Sequence, residues 1–132
     1  MRLKEKQLTF QKLNPNKISL DERGSLFAVN SLSEFKLKRL YLIEPTVGHW
    51  RGKHYHKEST QLIVVLNGEI ECKIFDLDNQ QNVNNFFMST GCSFEQNPGI
   101  TFSFRSKEQN TKILVLSNTE LNESDYYEVK IS

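Results

Sequence analysis

The segment "QLIVVLNGEIECKIFD", Gln61 to Asp76, limits the fold more than any other stretch of the chain. A nearly continuous apolar run closes on Asn67-Gly68, and a second run follows directly. Asn-Gly adopts the positive φ of a tight turn at little cost, so the two runs read as a β-hairpin. Both are too short for helices and rich in β-branched residues. The same rhythm spans the chain. "LTFQKL" reads as a short strand, "LNPNK" as a turn, and "SLFAVN" (25–30) as a strand entered through Gly24 of "DERG". "FKLKRLYLIEP" (35–45) alternates, with Leu37, Arg39, Tyr41 and Ile43 on one face and Pro45 as its end. "NFFMS", "CSFEQ", "TFSFR", "TKILVLSN" and "DYYEVKI" continue the series, and a turn around "TELNES" is the best helix candidate. About nine or ten short strands are expected, at spacings of roughly 8–12 residues, the signature of a β-sandwich or barrel. There is no linker, repeat or low-complexity block, so residues 1–132 read as a single domain large enough for a core.

Composition removes several function classes. Lys and Arg number 17 against 16 Asp and Glu, a net charge of +1. Bulk charge therefore gives no reason to expect a nucleic-acid or membrane-surface partner. No run approaches the roughly 18 apolar residues of a membrane span. The start, "MRLKEKQLTF", has charges but no apolar stretch behind them, unlike a secretory signal, so a cytoplasmic location is expected. Cys72 and Cys92 lie among apolar neighbours and form no C-x-x-C pair. They read as small core residues, not as a disulfide.

An all-β chain of this kind leaves an immunoglobulin-like sandwich, a small closed barrel or a double-sheet jelly roll. The segment "RGKHYHKESTQ" (51–61) chooses among them. It carries His54 and His56, and the third histidine, His49, lies just upstream. If 53–57 is extended, His54 and His56 share a face and Tyr55 takes the other. The spacing Gly48, His54, His56, Gln61, Gly68 resembles the first motif of the cupins, metal-binding jelly rolls with G-x5-H-x-H-x(3,4)-E-x6-G. One position departs. Gln61 stands where the carboxylate ligand belongs, and a neutral amide is a much poorer ligand for a divalent cation. The second motif region, "GCSFEQNPGITFSF" (91–104), keeps Gly91, Pro98 and Gly99, but no histidine follows His56. The expected fold is therefore an all-β, cupin-type double-sheet jelly roll, a small β-barrel, whose pocket binds no metal and no other cofactor. Two imidazoles that titrate near neutrality are suited to moving protons.

The resemblance becomes narrower on five segments. "RGKHYHK", "DERGSLFAV", "KRLYLIE", "QLIVVLNG" and "NESDYY" are similar, in order and at compatible spacing, to segments of the sugar-nucleotide 3,4-ketoisomerases. These are metal-free cupins that act on dTDP-4-keto-6-deoxyglucose. "RGKHY" and "DERG" also resemble the related 3,5-epimerases, which carry Gln in place of His56. The sequence departs from the ketoisomerase pattern after Pro98, where Ile100, Thr101 and Phe102 replace an aromatic and a histidine.

The resemblance implies a 3,4-ketoisomerase that shifts the ketone of dTDP-4-keto-6-deoxyglucose from C4 to C3 through an enediol, in deoxyamino-sugar biosynthesis for a surface glycan. The alternatives are an epimerase of the same sugar and a sugar-binding cupin without catalysis. It implies His54 and His56 as the proton shuttle and Tyr41 as a hydroxyl donor; the ordinary role for Tyr41 is a core aromatic with a satisfied hydroxyl. Arg51 and Arg23 are the implied pyrophosphate clamps, because guanidinium matches phosphate oxygens bidentately. Lys57 is a further candidate, or a solvated charge. Gln61 orients a histidine or a sugar hydroxyl, or is a buried amide bonded to backbone. Trp50 stacks on thymine or sits at a subunit seam. The implied assembly is a homodimer with exchanged N-terminal strands, for which "LTFQKL" is the candidate arm.

Overall fold

Strand propensity is distributed along the whole chain, and the structure, a computed structural model, organises it into β-sheets with no helix among the described residues, which are 17–28, 36–76, 84–120 and 126–128. The strands are β1 (Lys17–Asp21), β2 (Gly24–Ala28), β3 (Arg39–Ile43), β4 (Arg51–His56), β5 (Gln61–Asn67), β6 (Glu69–Asp76), β7 (Asn84–Ser89), β8 (Ser93–Gln96), β9 (Ile100–Ser106), β10 (Lys112–Ser117) and β11 (Tyr126–Glu128). β1 and β2 form a two-stranded sheet. A four-stranded sheet runs β3-β10-β5-β8, and a five-stranded sheet runs β11-β4-β9-β6-β7. Every strand pairing is antiparallel. The two larger sheets face each other as a double-sheet jelly roll, the architecture expected from the sequence.

The hairpin expected at Asn67-Gly68 does not form. β5 pairs with β10 and β8, whereas β6 pairs with β9 and β7. The chain turns sharply at Gly68 and passes from one sheet to the other. Gly68 has φ +100, and a Cβ there would overlap the Oγ1 of Thr111. The position thus needs glycine for a corner, and the turn residues give no information on which neighbour each strand will choose. Three other expectations differ in detail. β1 was not foreseen, because "KISLD" offers only two apolar positions. Leu37 precedes β3 and is exposed instead of joining the face of Tyr41. The proposed arm "LTFQKL" and most of "TELNES" lie outside the described residues.

The core fills the space between the sheets. From one side come Ile63, Val65, Phe94, Ile113 and Val115; from the other, Ile70, Cys72, Ile74, Met88, Ile100, Phe102 and Phe104. Each large side chain so buried contributes about 1.5–3 kcal/mol. The rings of Phe86, Phe94, Phe102 and Phe104 form a chain with centroids 5.1 to 5.8 Å apart. β5 is buried on both faces over its first five residues, which accounts for its continuous apolar run. Cys72 is a fully buried core thiol, and burial pushes its pKa well above the usual value.

Registry on the four-stranded sheet sorts the inner face into rows. Arg39, Ser117, Gln61 and Gln96 form a polar row; Tyr41, Val115, Ile63 and Phe94 form the next; Ile43, Ile113 and Val65 form the third. Polarity therefore falls along the strands from one end of the barrel towards its middle.

A bulge shapes β4. Arg51 pairs with Phe104 and His54 with Phe102, so three steps on β4 span two on β9. Gly52 sits inside this bulge with φ +88, and a Cβ there would lie 2.6 Å from the carbonyl oxygen of Phe102. Alanine would face both the left-handed backbone cost and this collision. Gly52→Ala is expected to lower stability by about 1–3 kcal/mol. A fall in the urea midpoint at constant m-value would show it, and an unchanged midpoint would remove the constraint assigned to Gly52.

Candidate functional site

β4 and β3 bring polar side chains to the space between the sheets from opposite sides. The cavity there measures about 340 Å³, in the lower part of the range for ligand pockets. β4 supplies Arg51, Gly52 and His56; β3 supplies Arg39, Tyr41 and Ile43; Gln61 and Ile63 come from β5, and Val115 and Ser117 from β10. Arg51 is exposed, while Ile63, Phe104 and Val115 are buried. Exposed Arg51 and these buried apolar side chains thus line one cavity, and Arg51 stands beside Phe104, its register partner across β4 and β9.

Strict alternation would turn Arg51 away from the face of His54 and His56, because the step from 51 to 54 is odd. The bulge adds one residue and restores the face, which is why Arg51 and His56 line the same cavity. His56 is only 9% exposed. Its carbonyl accepts a 2.8 Å hydrogen bond from the amide of Gly99, which ties the first motif to the Pro98-Gly99 turn of the second. For His54 the structure describes the backbone, held opposite Phe102 of β9 on one side and Glu128 of β11 on the other.

Tyr41 and Gln61 meet in the cavity. The Tyr41 hydroxyl donates to Oε1 of Gln61 at 3.3 Å. Gln61 is buried, so this bond satisfies an acceptor that would otherwise be costly to enclose. It also leaves the amide hydrogens as what Gln61 offers to a ligand. The Arg39 guanidinium carbon lies 4.5 Å from the centre of the Tyr41 ring. Gln96 is buried beside Gln61 in the polar row, and its Nε2 donates to the carbonyl of Ile100 at 2.8 Å. Ser59 and Thr119 share a hydroxyl–hydroxyl hydrogen bond at the rim, and the Thr60 amide donates to Oδ1 of Asn118 at 2.9 Å. Two segments distant in sequence are thereby fixed around the opening.

Of the residues singled out in the sequence, Tyr41, Arg51, His56 and Gln61 converge on this cavity. Arg23 does not. It stands in the turn between β1 and β2, 87% exposed, with its guanidinium 2.8 Å from the Asp21 carboxylate. That hydrogen-bonded pairing holds the Asp21 carboxyl below the usual carboxylate range. Lys57 is exposed just past β4 and is not among the lining residues. Trp50 lies over the Lys73 ammonium and the Arg105 guanidinium, 4.6 and 5.0 Å from its ring centre. Arg105 is in turn paired with Glu71 at 2.8 Å. Lys73 and Arg105 alternate with the core residues Cys72 and Phe104, so Trp50 belongs to the outer side of the five-stranded sheet.

Sequence reasoning missed Arg39, Ser59, Gln96, Ser117 and Thr119 as cavity residues. A signal existed for Arg39, which precedes Tyr41 by two residues on the same alternating face. None existed for Gln96, whose place depends on its pairing with Gln61 across the sheet. Among the described residues, no group of three His, Cys, Asp or Glu side chains gathers in a way that could hold a metal ion. No helix there is long and apolar enough to cross a membrane.

Comparison with known proteins places this geometry. The model of the family described as "FdtA: WxcM-like, C-terminal" matches residues 6–130. A TDP-4-oxo-6-deoxy-alpha-D-glucose-3,4-oxoisomerase of Aneurinibacillus thermoaerophilus is 29% identical over 128 residues, covering 94% of this chain and 86% of that protein. Among solved structures, a 3,4-ketoisomerase from Helicobacter canadensis superposes with a TM-score of 0.72 at 28% identity, over 85% of each chain. QdtA, a sugar 3,4-ketoisomerase from Thermoanaerobacterium thermosaccharolyticum in complex with TDP, gives a TM-score of 0.73 at 22% identity, over 85% of this chain and 82% of that one. With a family match that spans nearly the whole sequence and a jelly roll of the same shape, this chain belongs to the FdtA family of WxcM-like C-terminal domains.

Proposed function

We propose that this chain is a sugar-nucleotide 3,4-ketoisomerase acting in the cytoplasm on TDP-4-keto-6-deoxyglucose, in a route to a deoxyamino sugar of a surface glycan. The observation that carries this reading is the cavity in which His56 of one sheet shares a small space with Tyr41 and Gln61 of the other, in a chain of this family. The reaction suits these groups. A ketone at C4 acidifies the C3 proton. A base takes that proton, and the C3–H electrons form the C3–C4 double bond of an enediol(ate) while O4 gains a proton. O3 then gives up its proton, its electrons restore a carbonyl at C3, and a proton is delivered to C4. Each step is a proton transfer, worth about 10²–10⁴-fold when a positioned side chain performs it.

His54 and His56 are assigned to this shuttle, and the Tyr41 hydroxyl to the shifting oxygen. Gln61 sets the Tyr41 hydroxyl and faces sugar hydroxyls with its amide hydrogens. Arg51 and Arg39 are the arginines that line the cavity, so these two guanidiniums are assigned to the pyrophosphate. Arg39 takes the role that the resemblance gave to Arg23. Lys57 receives no role.

Proton NMR in heavy water tests the reaction. The ketone of TDP-4-keto-6-deoxyglucose is expected to move to C3 with deuterium entering at C4. A ketone that stays at C4 while ring protons exchange would make the chain an epimerase, and an inert substrate that still binds would make it a non-catalytic sugar-binding cupin. Under the same conditions His56→Asn is expected to reduce turnover by at least about 100-fold with the melting temperature little changed. A fully active variant would sink the role given to His56.

The arginine assignment has its own measurement. Arg39→Ala is expected to weaken TDP binding by about tenfold or more, the effect of losing a charge-assisted contact, whereas Arg23→Ala leaves it within about twofold. The reverse order would return the clamp to Arg23.

A homodimer belongs to this reading. Among the described residues β3 is an edge strand, and its outward side chains, Leu40 and Leu42, are 58% and 51% exposed. They continue into Leu116 and Leu114 on β10. A free edge beside an apolar face is a site for another strand, and the N-terminal arm of a second copy is the occupant assigned here. Analytical ultracentrifugation is expected to find a dimer for the native chain and a monomer for Leu40→Lys/Leu42→Lys. A native monomer would overturn this assembly.

A further inference from the structure

His56 ends β4 and Gln61 begins β5, and both line the cavity. β4 belongs to the five-stranded sheet and β5 to the four-stranded one. Residues 57–60 therefore carry the chain from one wall of the cavity to the other, with an assigned proton carrier before them and the partner of Tyr41 after them. The five steps from His56 to Gln61 reach about 17 Å when fully extended. Two sheets packed face to face lie about 10 Å apart. The connection thus has slack, and its length alone does not set where the imidazole stands against Tyr41 and Gln61. The His56 carbonyl is held by the amide of Gly99, which leads into β9 of the same sheet. That bond fixes His56 within its own sheet.

The slack is taken up by the residues that follow β10. Ser117 is the register partner of Gln61, and Thr60 and Asn118 add one more rung beyond them. The Asn118 amide donates to the Thr60 carbonyl at 3.2 Å. The return bond goes to a side chain: the Thr60 amide donates to Oδ1 of Asn118 at 2.9 Å. Beside this rung the hydroxyl oxygens of Ser59 and Thr119 lie 2.5 Å apart. Ser59 is buried, and the Thr119 amide donates to Oγ of Ser117 at 3.2 Å. Two consecutive residues of the connection are thus bound to two consecutive residues after β10, which lies between the strands of Tyr41 and Gln61. Thr119 lines the cavity, but Asn118 does not. Any effect of Asn118 on the reaction has to pass through the main chain that it holds.

Resting on the ketoisomerase reading of the cavity, we propose that Asn118 is a positioning residue. With Thr119 it latches the 57–60 connection to β10 and so sets the His56 imidazole against Tyr41 and Gln61. A misplacement of about 1 Å in a reacting group can cost about 100-fold in rate. The latch therefore acts on proton transfer and leaves the contacts of the nucleotide in place.

Turnover of TDP-4-keto-6-deoxyglucose and titration with TDP test this. Asn118→Ala removes the side-chain acceptor and is expected to lower kcat by about 10- to 100-fold, with KM and the Kd for TDP within about twofold of the native values. Asn118→Asp keeps an oxygen for the Thr60 amide and is expected to stay within about threefold of the native kcat. Thr119→Val, with Thr119→Ser as its conservative partner, is the second pair in case Asn118→Ala fails to fold, and the same split is expected. A native kcat in Asn118→Ala would overturn the latch. Equal losses of kcat and TDP affinity would mark a general loss of structure and overturn it too, as would an Asn118→Asp variant as slow as Asn118→Ala. A second readout separates the latch from the proposed reaction. In proton–nitrogen correlation NMR of the histidine side chains, the His56 ring signals are expected to shift or broaden in Asn118→Ala while those of His49 stay in place. If the native chain moves no ketone, the proposed reaction falls. Unchanged His56 signals would then overturn the latch, and shifted ones would uphold it as the device that orients His56.

Discussion

The site depends on one close approach of backbone to backbone. Gly52 has its Cα so near the carbonyl of Phe102 that no side chain fits between them. The same residue holds a positive φ and gives β4 one residue more than β9 over that span. A strand with strict alternation has to choose between directing Arg51 inward and directing the histidine face inward. The bulge removes the choice, so a cation and an imidazole of the same cavity come from one six-residue strand. Because the constraint is steric, it needs no ligand to hold it.

The second organising feature is the way β5 and β6 part at Gly68. Adjacent in sequence, they go to opposite sheets, and each gains two partners there. This division creates the space between the sheets. It also sets registry on the four-stranded sheet through β10, which pairs with β3 on one side and β5 on the other. Tyr41 and Gln61, on strands that do not pair directly, reach each other across β10 because both strands are registered against it.

Much of this was legible in the sequence, and the limit falls at a definite place. Strand positions followed from short apolar runs and turn residues, and the cupin-like spacing from Gly48 to Gly68 carried the choice of jelly roll. The failures share a cause. Asn67-Gly68 signals a sharp turn, but a hairpin and a corner between sheets can both use a positive φ at the glycine, so residue type alone does not separate them. Arg23, implied by the resemblance, lies outside the lining of this cavity in a turn that also provides Asp21, two residues away, to pair with its guanidinium. Gln96 reads as an ordinary polar residue until its registry with Gln61 is known. Local pattern thus reports where a strand lies and which faces it has. Which residues meet across a cavity is decided by pairing over distances of 20 residues or more, as between Tyr41 and Gln61.

Gln61 shows what a single replacement does to the character of such a site. In the cupin pattern its position belongs to a carboxylate, which offers only acceptors when ionised. An amide of the same length offers one acceptor and two hydrogens. Here the acceptor is engaged by Tyr41, and the hydrogens remain for a ligand. A carboxylate at this buried place would instead draw the guanidiniums of the cavity towards itself, since an unpaired buried charge is far more costly than a paired one. Arg39 and Arg51 would then be committed inward. With a neutral group at residue 61, the arginines that line the cavity keep their charge for an anionic ligand, beside groups that exchange protons.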